Sequence, residues 1–250
     1  MRHGWSIGGC VGLYEWWCKA TKKGDKRKYY WIYVERNGGR NEIRADLVKT
    51  IRSHYDRLER IAEDVKRLGY KGAAQILSAK LPQTAESRSG DLGEILAVEL
   101  VEEEVDLRVP VCRLRYKDGR NVVMRGDDFI GVGYKGADKR LWLLKGEAKS
   151  NKVLSKKTVT SAREVLNRDN GRCTPASLLF VADRLLESND RHDNLLGRSL
   201  RDEGDMKSLC ADCIDHMLFT VSGNGPHASL KEDLDAVGTN CNHYVVKSTS

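Results

Sequence analysis

The sequence predicts an α/β layer fold, a mixed sheet flanked by helices with an N-terminal β-hairpin and helical region ahead of it. Two observations carry this expectation. Apolar residues alternate in short, strand-like runs and recur at three- and four-residue spacing in longer ones. Across residues 85–185 these runs come in the order helix, strand, strand, helix, strand, the order of a layered α/β unit.

The first forty residues read as a β unit. Cys10–Cys18 and Lys28–Glu35 are aromatic, strand-like runs, with Lys19, Lys22, Lys23, Lys26 and Arg27 as a basic turn between them. Asn37-Gly38-Gly39 closes the second run. Asn41 is placed to cap a long helix over 42–68, carrying Ile43, Leu47, Ile51, Leu58, Ile61, Val65 and Leu68 on one stripe, with Gly69 as its stop. A shorter helix over 72–81 precedes Pro82.

Ser89–Glu104 has helical periodicity. Projected at about 100° per residue, Asp91, Glu99, Glu102, Glu103 and Asp106 gather on one side, while Glu94 falls between Val98 and Val101 inside the apolar arc. A carboxylate facing a core is costly unless it is paired or holds a metal. Glu94 therefore expects either a buried arginine or a cation. Asn121–Gly133 reads as a strand bearing Asp127 and Asp128, which face opposite ways; periodicity leaves the choice between them open. The turn-rich Gly133–Arg140 joins it to the run Leu141–Ser150, giving an antiparallel pair.

In that second strand Leu141, Leu143, Lys145, Glu147 and Lys149 share a face. Ser155 suits the cap of a helix through Asn167, with Val159, Ala162 and Leu166 inward and Lys156, Lys157, Arg163 and Arg168 polar. Ser177–Asp183 reads as another buried strand, Arg191–Asn194 as a loop or helix start, and Met217–Val221 and Tyr244–Val246 as late strands.

Glu147-Ala148-Lys149 is the strongest chemical signal. A carboxylate and an ammonium projecting together past the buried part of a strand suit metal-assisted phosphodiester cleavage. Acid-x-Lys triplets are common, and composition alone yields about three in such a chain. Asp64-Val65-Lys66 and Asp205-Met206-Lys207 are the others, but only Glu147-Ala148-Lys149 ends an apolar strand. The bland reading is a surface salt bridge at a strand end.

Three segments together carry a resemblance: Gly90-Asp91-Leu92-Gly93-Glu94, Arg125-Gly126-Asp127-Asp128-Phe129-Ile130-Gly131 and Lys145-Gly146-Glu147-Ala148-Lys149-Ser150. Their order resembles the PD-(D/E)xK nuclease superfamily and, in detail, the nuclease-subunit family HamA of the Hachiman antiphage defence system. The likeness is clearest over residues 85–190.

The resemblance implies a restriction-endonuclease-like sheet and a nuclease domain over 83–250, behind an N-terminal region over 1–82 that meets a partner or nucleic acid. It implies Glu94, Asp128, Glu147 and Lys149 as catalytic residues. It further implies Mg²⁺ or Mn²⁺ held by Asp128, Glu147, the Ala148 carbonyl and Glu94. DNA is the implied substrate, and a superfamily 2 helicase, HamB, the restraining partner in a heterodimer.

The rest of the composition agrees with a nucleic-acid partner without requiring one. In 250 residues, 43 Lys and Arg stand against 36 Asp and Glu, a formal charge of +7, and the pI is near 9.0. Basic residues beside aromatics, Lys22, Lys23, Lys26 and Arg27, with Lys156 and Lys157, are candidate phosphate contacts. The hairpin tip reads first as a solvated turn on a small aromatic core, with a docking surface for a partner protein as a further option. A non-catalytic nucleic-acid-binding or helicase-binding module is the competing function.

No apolar run approaches the roughly 18 residues of a membrane span, so a cytoplasmic protein is expected. Seven cysteines at irregular spacing suit reduced thiols. Cys210, Cys213, His216, Cys241 and His243 could assemble a zinc site. Ile214, Met217 and Leu218 favour instead an amphipathic helix with buried free cysteines.

Overall fold

Six strands form one mixed sheet in the order β1-β2-β6-β5-β4-β3. The structure, a computed structural model, describes residues 12–105, 107–122, 124–136, 140–204 and 210–249. Asp106, Val123, Asp205–Lys207, the tip of the 133–140 turn and the first residues of the Cys10–Cys18 run lie outside them.

A short helix α1 (Leu13–Trp17) leads into the hairpin β1 (Cys18–Asp25) and β2 (Lys28–Glu35). Then come α2 (Gly39–Glu42), α3 (Arg44–Tyr55), α4 (Leu58–Lys80) and α5 (Ala85–Glu104). β3 (Phe129–Lys135) and β4 (Arg140–Ser150) follow, then α6 (Lys156–Asn167), α7 (Pro175–Leu186) and α8 (Arg191–Gly204). β5 (Ile214–Ser222), α9 (Ala228–Ala236) and β6 (His243–Thr249) close the chain.

The hairpin and the β3–β4 pair are antiparallel, and β2, β6, β5 and β4 run parallel to their neighbours. This is the expected mixed α/β sheet flanked by helices, with the N-terminal hairpin joined to it through β6. α5 and α1 pack on one face, where Leu96, Leu100, Tyr14 and Trp17 meet Leu144, Phe219 and Val246. On the other face α6 and α9 cover Leu218 and Val245, while α7 covers Leu143 and Ile214. Among the described residues, no helix is long and apolar enough to cross a membrane.

Several local expectations are corrected. Residues 13–17 are helical, not extended. Leu13, Tyr14 and Trp17 bury one helical face, and the Tyr14 N–H and hydroxyl donate to the Glu103 carboxylate and the Leu96 carbonyl on α5. Lys19, Lys22 and Lys23 lie in β1, so the turn is only Lys26-Arg27, both at positive φ (46° and 67°) as a tight two-residue hairpin demands.

The long helix over 42–68 is broken. Asn41 sits inside α2, and Asp56 is extended between α3 and α4. The buried Asp56 carboxylate accepts from Arg57 N–H and from Lys80, which makes a break at this position stable. Gly69 does interrupt the helix, at φ 71°, but the chain resumes helix at once.

The strand expected from Asn121 begins only at Phe129. The Arg113 guanidinium donates to the Arg125 and Asp127 carbonyls, and the Ser177 hydroxyl accepts the Asp127 N–H. Those backbone groups are therefore unavailable to a ladder. Gly126 turns here at φ 97°, where a Cβ would strike the Ser177 hydroxyl.

Residues 177–183 belong to helix α7, capped by Thr174 with Pro175 in its first turn. Leu178, Val181, Ala182 and Leu185 give it a helical apolar face, which a continuous apolar run conceals. Arg163 faces inward, clamped by Asp233 of α9 at 2.9 and 2.8 Å. Cys213 is buried in a 3-10 turn and Ile214–Ser222 is a strand, so the expected cysteine-bearing helix is absent there.

Candidate metal and active centre

The centre assembles at the end of β4, between α5 and the residues that enter β3. Two layers of charge are stacked there. The lower one is structural. Lys145, 1 % exposed, donates to the Arg168 and Arg172 carbonyls at 3.0 and 2.8 Å and stands 3.6 Å from Asp127. Asp127 also accepts the Thr174 N–H at 2.8 Å. Asp127 thus faces the α7 side and is fully engaged.

Asp128 points the other way. Its Oδ2 accepts the Ala148 N–H at 2.8 Å, and its carboxyl lies within hydrogen-bonding reach of Glu147. The register explains the meeting: Phe129 pairs with Gly146, which sets Asp128 beside the next two residues of β4. Gly146 is required for this crossing, because a Cβ there would enter the Phe129 ring. Glu147 pairs directly with Lys149, two residues along the same face.

Glu94 comes from α5. Its helix is held against the end of β4 by the Ser89–Ser150 hydroxyl contact at 2.8 Å and by the close approach of Gly93 to Ser150. Burial raises the Glu94 carboxyl to about 8, with Asp128 the next cause and Arg113 and Lys117 opposing. Burial also raises Glu147, to about 7, with Asp128 adding and Lys149 subtracting. Asp128 is raised as well, mainly by burial, against the Ala148 N–H and the Lys149 charge.

Asp128 therefore stands between two other buried carboxyls, Glu94 and Glu147, with too little positive charge to keep all of them ionised. An all-oxygen donor set of this kind fits a hard divalent cation such as Mg²⁺ or Mn²⁺, which would replace the missing charge. The four are linked in pairs: Glu94 feels Asp128, Asp128 reaches Glu147 and accepts the Ala148 N–H, and Glu147 pairs with Lys149, while the charges that bear on Glu94 are those of Arg113 and Lys117.

Sequence reasoning missed Arg113. It is buried, its guanidinium fastens the loop before β3, and its charge bears on Glu94 and Asp128. It sits in irregular chain, where no periodicity marks it. Other acids of α5 are structural acceptors: Asp91 for Tyr55 and Lys117, Glu99 for His54, Glu102 for the Val109 N–H.

The basic candidates are scattered. Lys22 pairs with Glu104 at 2.5 Å and lies over Trp31. Lys23 is exposed, and Arg27 reaches back to the Asn240 carbonyl. Lys156 and Lys157 are exposed at the start of α6, Lys156 being 3.6 Å from Glu232. The hairpin stands at the opposite edge region of the sheet from β4.

The chain is similar to the Hachiman protein HamA of Bacillus cereus, 26% identical over 172 residues, an alignment covering 67% of this chain and 60% of that protein. A family model described as HamA matches residues 12–248, nearly the whole chain, and so the chain belongs to the HamA family.

Proposed function

We propose that this chain is a divalent-metal-dependent deoxyribonuclease of the PD-(D/E)xK type that works in antiphage defence. The observation that supports it most is the buried Asp128–Glu147 carboxyl pair beside the Lys149 ammonium, with Glu94 of α5 next to Asp128. Asp128 and Glu147 would hold Mg²⁺ or Mn²⁺, with the Ala148 carbonyl as a further ligand and Glu94 as the supporting carboxylate. When bound, the cation neutralises phosphate charge and makes water a better nucleophile near neutral pH.

The side chains do the rest. Lys149 orients the attacking water and offsets the negative charge that grows on the phosphoryl oxygens. Glu147, hydrogen-bonded to Lys149, keeps that ammonium aimed at the reacting phosphate. Arg113 and the Lys145–Asp127 pair hold the loop and strand that carry these groups. Lys156 and Lys157, Lys23, Lys26 and Arg27 contribute phosphate attraction.

The Hachiman relative suggests a defence complex. In this reading the chain acts in the cytoplasm with the helicase HamB, which restrains cleavage until phage infection exposes DNA. The decisive experiment incubates supercoiled plasmid with the chain and Mg²⁺, beside Glu147→Ala and Lys149→Ala. Strand scission that needs Mg²⁺ and is lost in both variants, with unchanged circular dichroism, supports the reading. Equal nicking by the variants, or none by the native chain freed of its helicase, refutes it. A helicase complex with full activity in the absence of ATP removes the restraint.

A further inference from the structure

A second cluster of metal-binding side chains lies where β5 and β6 begin, on chain that the nuclease chemistry does not use. The parallel register pairs His216 with His243, and their rings stand 5.0 Å apart between centroids. Cys241, two residues before His243, places its Sγ 3.4 Å from His243 Nε2. One donor atom from each of the three lies within 4.8 Å of the others. All three residues are buried, at 7 %, 6 % and 6 % exposure for His216, Cys241 and His243.

Two features point to a ligand. The Nδ1 atoms of His216 and His243 are buried without a hydrogen-bond partner, an expensive state for ring nitrogens. His216 Nε2 is 2.7 Å from the Gly171 carbonyl, so its proton sits there and its Nδ1 lone pair is left open. An imidazole whose far nitrogen is fixed by a carbonyl is the usual outer support of a metal-bound histidine.

We propose that His216, Cys241 and His243 form a zinc site, with water at the fourth tetrahedral position. Zinc takes nitrogen at about 2.0–2.1 Å and thiolate at about 2.3 Å, which sets neighbouring donors about 3.3–3.6 Å apart; the Cys241 Sγ–His243 Nε2 separation of 3.4 Å already matches this, and the His216 donor lies within 4.8 Å of both. Two imidazoles and a sulfur select zinc over magnesium, which separates this site from the oxygen-lined centre at β4. Binding transfers the Cys241 thiol proton to solvent and leaves the sulfur as thiolate. Without the ion, burial opposes that ionisation most, with Asp215 and Asp212 adding to it and Arg163 and Arg27 easing it, so the thiol is pushed up to about 11.

The other nearby cysteines are not ligands: Cys210 is exposed, and Cys213 packs into the core under α7 and α8. Zinc ties β5 to β6 and steadies the turn at Gly171, whose neighbouring Arg168 and Arg172 carbonyls hold Lys145 beneath the active centre.

The test uses the whole chain, dialysed against chelator-free buffer after exposure to Zn²⁺, with metal counted by mass spectrometry, and then loaded with Co²⁺ in place of Zn²⁺. One retained zinc per chain and a sulfur-to-cobalt charge-transfer band, both absent in Cys241→Ser and kept in Cys210→Ser, are the expected results. The carboxylate centre has no sulfur and cannot give that band. Loss of Cys241 should weaken zinc binding more than the about 10–100-fold typical of losing an outer partner.

Absence of retained zinc, absence of the band, or equal binding by Cys241→Ser overturns the assignment, as does loss of binding in Cys210→Ser. Should Cys241→Ser fail to fold, alkylation of the native chain decides. Cys241 must be shielded from reagent by Zn²⁺ and released by chelator; labelling indifferent to zinc rejects the site.

Discussion

Asp127 and Asp128 are adjacent in sequence yet hold opposite duties, and substitution separates them. Asp128 belongs with Glu147, so Asp128→Asn should cut Mg²⁺-dependent plasmid cleavage by orders of magnitude while leaving the melting temperature nearly unchanged. Asp127 is the counter-charge of a buried lysine. Asp127→Asn strands Lys145 and should cost about 3–5 kcal/mol, seen as a large fall in melting temperature. The reverse pattern would exchange the two roles. A second residue-scale prediction concerns pH. Glu94 and Glu147 are raised above their ordinary value, so without metal the folded state holds their protons more tightly than the unfolded chain. Their contribution is fully present below about pH 4.5 and is lost as pH rises through 7 and 8. In chelator, stability should therefore fall across that window. Glu103 is also raised, to about 7, and contributes to the same fall. Glu94→Gln removes one of these groups: its melting temperature should exceed the native one at pH 8 and converge with it at pH 5. A native-like slope in Glu94→Gln would show that Glu94 is not buried beside Asp128.

At the scale of elements, the crossing of β3 over β4 decides where Asp128 stands. Gly146→Ala places a methyl in the Phe129 ring, which is 1 % exposed. The expected cost is about 1–3 kcal/mol from overpacking, with loss of cleavage because β3 must shift. Phe129→Leu in the same chain should recover part of both, a positive coupling in a double-mutant cycle of thermal melts. Strictly additive effects would mean that the two residues do not meet. This crossing also shows what the sequence made legible. Alternation placed Glu147 and Lys149 on one face of β4, and helical projection put Glu94 inside the apolar arc of α5, because both patterns are local. The Asp127/Asp128 choice was not local. It depends on Arg113 and Ser177, which capture the preceding backbone and start β3 only at Phe129. The same limit hid α7, whose Leu-Leu-Phe-Val run fits a buried strand until Thr174 and Pro175 are read as its cap. It also hid the break at Asp56, which Lys80 stabilises from the far end of α4.

Over the whole molecule the +7 charge is not evenly available. Lys22 is spent on Glu104 and on the Trp31 ring, on the α5 side of the sheet. Lys23 points to the other face. Pairing runs from Lys23 to Tyr30, Val245, Leu218 and Glu147 in one row, so Lys23 shares a sheet face with Glu147 across four strand spacings, roughly 19 Å. Lys156 and Lys157 open α6 behind the Ser155 cap, with no acid in the first turn, and combine side-chain charge with the positive end of the helix. Phosphate attraction should follow that geography rather than net charge. In a Glu147→Gln background, which silences cleavage, Lys156→Gln with Lys157→Gln should weaken duplex binding and flatten the slope of log affinity against log salt by up to about 2. Lys23→Gln should change the slope by about 1 at most, and Lys22→Gln should leave it unaltered. Fluorescence anisotropy over a salt series measures all three. If Lys22→Gln matches Lys156→Gln with Lys157→Gln in effect, the DNA does not keep to the Glu147 face, and attraction is only a property of the overall charge.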